Sequence, residues 1–346
     1  MNKKIISLHE IVDFTVLAGG LVSVIGSYWD IQWHFTIGRD SFFIPPHLLV
    51  YLGVSLVLVG SVAGLSVVRG IRARHLHRKL RNAVLAILGS VCAIVLAAPI
   101  DNLWHQIFGL DVTVWSPPHI LLIAGGFAYG ISFIYFERLY LHIAKMEGVR
   151  KFTSDEFKLE LMCAIVLAGL NLLVAEFEYF ELLPLVHAVR SRPEWWYLAI
   201  FLLESSFVLA FSKTVSRVPW AATRIATFYF LIRTLLTFLL DGAAPGPILP
   251  PLLIIPAIAF DVVIQGEHRV RDASFLRAGV FFALMYYVTQ FIYFRKLDLA
   301  QFVSVNAGEL LAATAGAILV SVFAYRFGKT IVGLATDDRS REALST

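Results

Sequence analysis

Asp30 and His34 stand four residues apart, and His47 follows thirteen residues later, directly behind Pro45-Pro46. The same order returns as Asp101, His105 and, behind Pro117-Pro118, His119, with one extra residue before the last histidine. Aligned on the first aspartate, Trp33 matches Trp104, Gly38 matches Gly109 and Asp40 matches Asp111. Residues four apart on a helix share a face, so each Asp-x-x-x-His pair can reach one ion. Pro-Pro restarts a helix, which puts the last histidine in its first turn as a third ligand. Two imidazoles and one carboxylate suit copper, zinc or ferrous iron, and three protein ligands leave a position for water, oxygen or substrate. Neither copy holds a thiolate or thioether, which argues against a soft Cu(I) carrier site. The expected metal ligands are Asp30, His34, His47, Asp101, His105 and His119. Asp40 and Asp111 are expected to order the loops or to orient ligating imidazoles. A single copy of the pattern at a helix end is usually an interfacial polar cluster. The repeat takes four of the ten histidines, and that favours metal.

These residues must be held at the ends of membrane-spanning helices. Of 346 residues, 58% are hydrophobic and 16% charged, against about a quarter charged in soluble domains. Ten apolar runs approach or reach the roughly 20 residues that span a bilayer: about 10–29, 48–68, 82–100, 119–140, 159–177, 195–213, 220–240, 251–265, 274–294 and 306–326. The fold expected is an all-α, polytopic transmembrane helical bundle built from repeated helical hairpins. Residues 1–150 hold the duplicated metal-binding hairpins, and residues 151–346 continue the same membrane domain without a recognised motif. No small-residue cleavage site follows the first run, which reads as a retained span.

The connection from Arg69 to Arg81 is dense in arginine and lysine, which marks it as cytoplasmic. Ten crossings then place both termini inside and both motifs toward the outer side of the cell membrane. Arg190, Arg192, Arg295 and Lys296 count against this orientation but are fewer. Trp33 and Trp104 suit the interfacial aromatic belt. A weaker echo, Asp241 followed by Leu249-Pro250-Pro251-Leu252, puts Leu252 where the other copies have histidine. Cys92 and Cys163 lie singly in apolar runs, so neither a disulfide nor a thiolate metal site is expected. The lipid bilayer is the partner implied, and the small net charge of +4 gives no basis for nucleic-acid binding.

Glu204, Arg233 and Glu309 fall at apparent membrane depth, where Glu204 and Arg233 can pair across helices. Asp261, Glu267 and His268 read as a solvated turn. His75 and His77 read as surface residues near lipid headgroups.

The run Trp33-His34, Arg39-Asp40, Phe43, Pro45, His47 and Tyr51 resembles the C subunit of the copper membrane monooxygenases, the particulate methane and ammonia monooxygenases. That subunit carries an Asp-x3-His-x12-His copper site and, further along, an Asn-x3-His-x13-His copper site. Asp30, His34 and His47 match the first pattern. His105 and His119 match the second, with Asp101 in place of asparagine. The resemblance covers mainly residues 10–145. It implies copper at both places, dioxygen-dependent oxidation of a small apolar substrate, and a homo- or hetero-oligomer of trimeric form. The family subunit has helices before its motif, and the six spans after residue 150 match nothing in it. Two alternatives stand beside this reading: a non-catalytic metal-binding or structural subunit of a larger membrane complex, and a zinc hydrolase facing the outer leaflet.

Overall fold

Proline at the start of one helix and glycine just past the end of another frame the two N-terminal hairpins. In the computed structural model, residues 3–38, 41–109, 114–148, 153–178, 195–216, 218–240, 252–267, 270–296 and 306–336 are described. Helix α1 (Lys3–Thr36) pairs with α2 (Pro45–Val68), and α3 (Arg74–Phe108) with α4 (Pro117–Met146). Then come α5 (Thr153–Leu170), running into a 3-10 turn over Asn171–Glu178, and α6 (Trp195–Val215). Helices α7 (Ala221–Leu240), α8 (Ile254–Gln265), α9 (Asp272–Lys296) and α10 (Ala307–Thr336) complete the bundle. The described residues contain no strand, and the all-α bundle is as expected.

Nine of the described helices are long and apolar enough to cross a membrane, which makes the chain an integral membrane protein. The expected eighth span differs. Helix α8 has 12 residues, about 18 Å at 1.5 Å per residue, against a hydrocarbon core of about 30 Å. Its contacts still give it a direction. Gln290 Nε2, late in α9, donates to the Leu252 carbonyl at 3.2 Å, while Asp261 accepts from Thr223 in the first turn of α7. The Asp241–Pro251 part of the Pro-Pro echo lies outside the described residues.

Small residues bring α1 and α2 together, as is usual where lipid supplies no hydrophobic drive between helices. A Cβ on Gly26 would stand 2.7 Å from the Val50 backbone nitrogen, one turn below the first ligand set. The ligand-bearing ends are also tied to the C-terminal helices. Gln32 Nε2 donates to the Leu240 carbonyl at 2.6 Å, and Trp115 Nε1 donates to the Leu173 carbonyl at 3.0 Å.

Several polar residues sit differently from expectation. Asp261 is fully buried, not in a solvated turn. Its Oδ2 accepts the Thr223 N–H and hydroxyl, both at 2.8 Å, and Lys213 Nζ lies 3.3 Å from Oδ1. Glu309 stands in the first turn of α10. It accepts the Asn306 N–H at 2.9 Å while Asn306 Oδ1 accepts the Glu309 N–H at 3.0 Å, a reciprocal capping box. His77 Nδ1 donates to the Val68 carbonyl at 3.0 Å and joins the start of α3 to the end of α2. Glu204 and Arg233 are both buried, and the Arg233 guanidinium lies over the Tyr28 ring, 3.9 Å from its centroid. Glu267 bonds Arg277; His268 lies outside the described residues, and the His75 side chain is not described.

Candidate metal centres

The two hairpins repeat at the level of backbone angles. Each Pro-Pro helix begins after an extended residue: Ile44 at φ −67°, ψ 152° and Ser116 at φ −66°, ψ 151°. The clash of a proline ring with the preceding residue favours this conformation. It turns the chain sharply into the new helix, with His47 and His119 in the first turn. At the other side of each loop, Gly38 has φ +67° and Gly109 φ +88°. These left-handed positions end α1 and α3 soon after the Asp-x-x-x-His pair at little steric cost because the residue is glycine.

In the first set, Asp30 Oδ1 faces two imidazoles. It lies 3.1 Å from His47 Nε2 and 3.6 Å from His34 Nε2. The three side chains keep between 14% and 20% of their exposure, so the cluster is shielded but reachable. Tyr51, one turn beyond His47, donates its hydroxyl to the Phe42 carbonyl at 3.1 Å and packs beside the His47 ring. The loop and the third ligand are thereby held as one piece.

In the second set, Asp101 divides its oxygens. Oδ2 lies 3.4 Å from His105 Nε2, and Oδ1 lies 3.4 Å from His119 Nε2. His105 Nδ1 donates to the Gly109 carbonyl at 3.2 Å. That bond fixes the tautomer and leaves the Nε2 lone pair facing the cluster, the outer support typical of a ligating histidine. The same glycine therefore turns the chain and orients a ligand.

Three of these four separations, 3.4, 3.4 and 3.6 Å, exceed the ordinary N–H···O range of about 2.7–3.2 Å. They fit instead the edge of a tetrahedron with bonds of about 2.1 Å, which is about 3.4 Å. In each set one donor atom from every residue lies within 4.8 Å of the others. The residues present thus fit a borderline transition metal, with two imidazole nitrogens and one carboxylate oxygen per set.

All six predicted ligands come together as two separate triads at one end of the bundle. Asp40 and Asp111 lie outside the described residues. One turn inward from both triads is an apolar cavity of about 60 Å³, measured to the centres of water-sized molecules. Ser27, Val50, Leu122, Ile123, Gly126 and Tyr129 contribute to its wall, which is completed by α5. A third cluster, His9, Asp13 and Glu137, escaped sequence reasoning. Its one local signal is the i, i+4 pair His9 and Asp13, the repeat's spacing in reverse order; Glu137 is 128 residues from His9. Comparison with protein-family models, curated proteins and solved structures finds no match to this chain in any of the three.

Proposed function

We propose that this integral membrane protein binds copper at Asp30/His34/His47 and at Asp101/His105/His119, and takes part in dioxygen-dependent oxidation of a small apolar substrate. The observation that carries the metal reading is the pair of Asp/His/His triads, built alike on two hairpins, with separations suited to a shared ion. Copper is favoured over zinc or iron by the likeness of the motifs to the monooxygenase C subunit. When bound, copper supplies one-electron redox chemistry toward dioxygen. The chain's own residues supply position: Gly109 orients His105, Tyr51 steadies His47, and the cavity beneath both sets offers an apolar guest space next to the triads. Association into a homo- or hetero-oligomer, trimeric as in the resembling family, belongs to the same reading.

The arginine-rich connection Arg69–Arg81 joins α2 to α3 at the end of the bundle opposite the triads. By the positive-inside rule, that end faces the cytoplasm and the triads face outward. The bonds of Lys4 to the Gly70 carbonyl and of Arg326 to Asp272 support a reading in which α1 starts and α10 finishes at this same end. Both termini are accordingly cytoplasmic.

Elemental analysis of the purified protein, wild type against His34→Ala with His105→Ala, tests the proposal. Copper present in the first and lost from the second is expected; metal content unchanged by the substitutions overturns it. Zinc in place of copper moves the reading to a hydrolytic or structural site. A partner that copurifies in constant ratio and carries its own redox centre moves it to a non-catalytic subunit.

A further inference from the structure

At the opposite end of α1 from the first triad lies the third cluster. Asp13 and Asp30 are separated by about 25 Å along the helix, at 1.5 Å per residue. His9 Nε2 lies 3.1 Å from Asp13 Oδ2 on its own helix and 2.9 Å from Glu137 Oε1 on α4. All three residues are buried: His9 4% exposed, Asp13 5% and Glu137 0%. The His9 ring is stacked on Tyr140, with centroids 3.4 Å apart and planes 9° from parallel. That stacking fixes the direction of Nε2.

The nearest cations are divided among several carboxylates. Arg138 is engaged by Glu156 at 2.9 Å and Arg224 by Glu160 at 2.8 Å. Lys158, a quarter exposed, reaches in and bonds Asp13 Oδ2. Two carboxylates buried beside an imidazole are costly away from water unless a cation or a proton accompanies them. Asp13 Oδ1 is buried without a hydrogen-bond partner, which leaves a hard oxygen donor inside the cluster. Separations of 2.9 and 3.1 Å lie within hydrogen-bond range and also match the cis edge of an octahedron with bonds of about 2.1 Å, which is about 3.0 Å.

We propose that His9, Asp13 and Glu137 form a third site, for a divalent cation, at the end of the bundle opposite the two Asp/His/His triads. Two carboxylates and one imidazole are a harder donor set than two imidazoles and one carboxylate. The site accepts manganese(II) or ferrous iron. It links α1 to α4, the helices that also carry Asp30 and His119, and it stands independently of what the two triads bind.

Manganese(II) titration of the full chain carrying His34→Ala and His105→Ala, followed by electron paramagnetic resonance, tests the site. One manganese bound per chain and a raised thermal unfolding midpoint are expected. Adding Glu137→Gln weakens binding about 100-fold or more, while Lys158→Met, which removes the competing cation, tightens it. No manganese bound by the folded double variant, with or without Lys158→Met, overturns the proposal and makes the cluster a closed ion network neutralised by protons. Binding unchanged by Glu137→Gln overturns it as well.

Discussion

Asp30 Oδ1 stands 3.1 Å from His47 Nε2 although the two residues belong to different helices joined by a loop. The contact exists because Gly38 ends α1 early and Pro45 starts α2 at once. Neither residue holds the position alone. His47→Ala removes a donor from the first triad and leaves the second intact. The expected result is loss of about one of two copper equivalents, with copper at Asp101/His105/His119 retained and read by its unchanged resonance spectrum.

Gly26 sits where a side chain cannot fit, since its Cβ would meet the Val50 nitrogen at 2.7 Å. Gly26→Val therefore pushes α1 from α2 immediately below the first triad. Overpacking of this kind costs about 1–3 kcal/mol. A lower unfolding midpoint in detergent is expected, along with metal loss confined to the first triad.

Gly109 combines φ +88° with ψ −176°, a region open to glycine and strained for other residues by about 1–3 kcal/mol. Gly109→Ala also disturbs the carbonyl that receives His105 Nδ1–H. Metal affinity at the second triad drops about 10- to 100-fold, in line with loss of an outer hydrogen bond to a ligand. Equilibrium dialysis of the variant measures it.

Asp101 places a negative charge where the resembling family has a neutral asparagine. With copper bound, Asp101→Asn removes charge that favours the oxidised ion, so the reduction potential of the second centre moves upward. Potentiometric titration monitored by electron paramagnetic resonance reads the shift; an unchanged or lower potential refutes the assignment of Asp101 as a ligand.

Asp261 lies at the end of the bundle opposite the triads, yet stability depends on it. Asp261→Ala strands the part-buried Thr223 N–H and the Lys213 ammonium together. Breaking a buried pair from one side costs about 3–5 kcal/mol. A marked drop in unfolding midpoint is expected, with little change in metal content at the two triads.

The grouping of the two Asp/His/His triads and most helices were legible because they are local. Asp30 and His34 share one helix face, and Pro-Pro and glycine announce where the chain turns. Asp261, Glu309 and Glu137 were not, for a shared reason. Each owes its role to a partner whose position depends on packing or on a helix boundary: Thr223 on another helix for Asp261, the cap Asn306 for Glu309, His9 at the far end of the sequence for Glu137. Hydropathy alone reads a charged residue in an apolar run as buried and one in a polar run as solvated. It read Glu309 as a bare charge in the last span, without its cap, and put Asp261 in water. Helix α8 was read as a span from its apolar composition, whereas its described length is set by where backbone hydrogen bonding begins, at Ile254.

The cavity beneath the triads has walls mainly of valine, leucine, isoleucine, glycine and aromatic rings, with Ser23 and Ser27 among them, and is closed on one side by α5. A molecule that rests there gains little from polar groups and is selected mainly by size and by its reluctance to stay in water. For such a guest the reservoir is the surrounding lipid, in which it is already enriched. Occupancy then follows the partition coefficient between bilayer and water, so guests of equal size fill the cavity in order of their solubility in hydrocarbon.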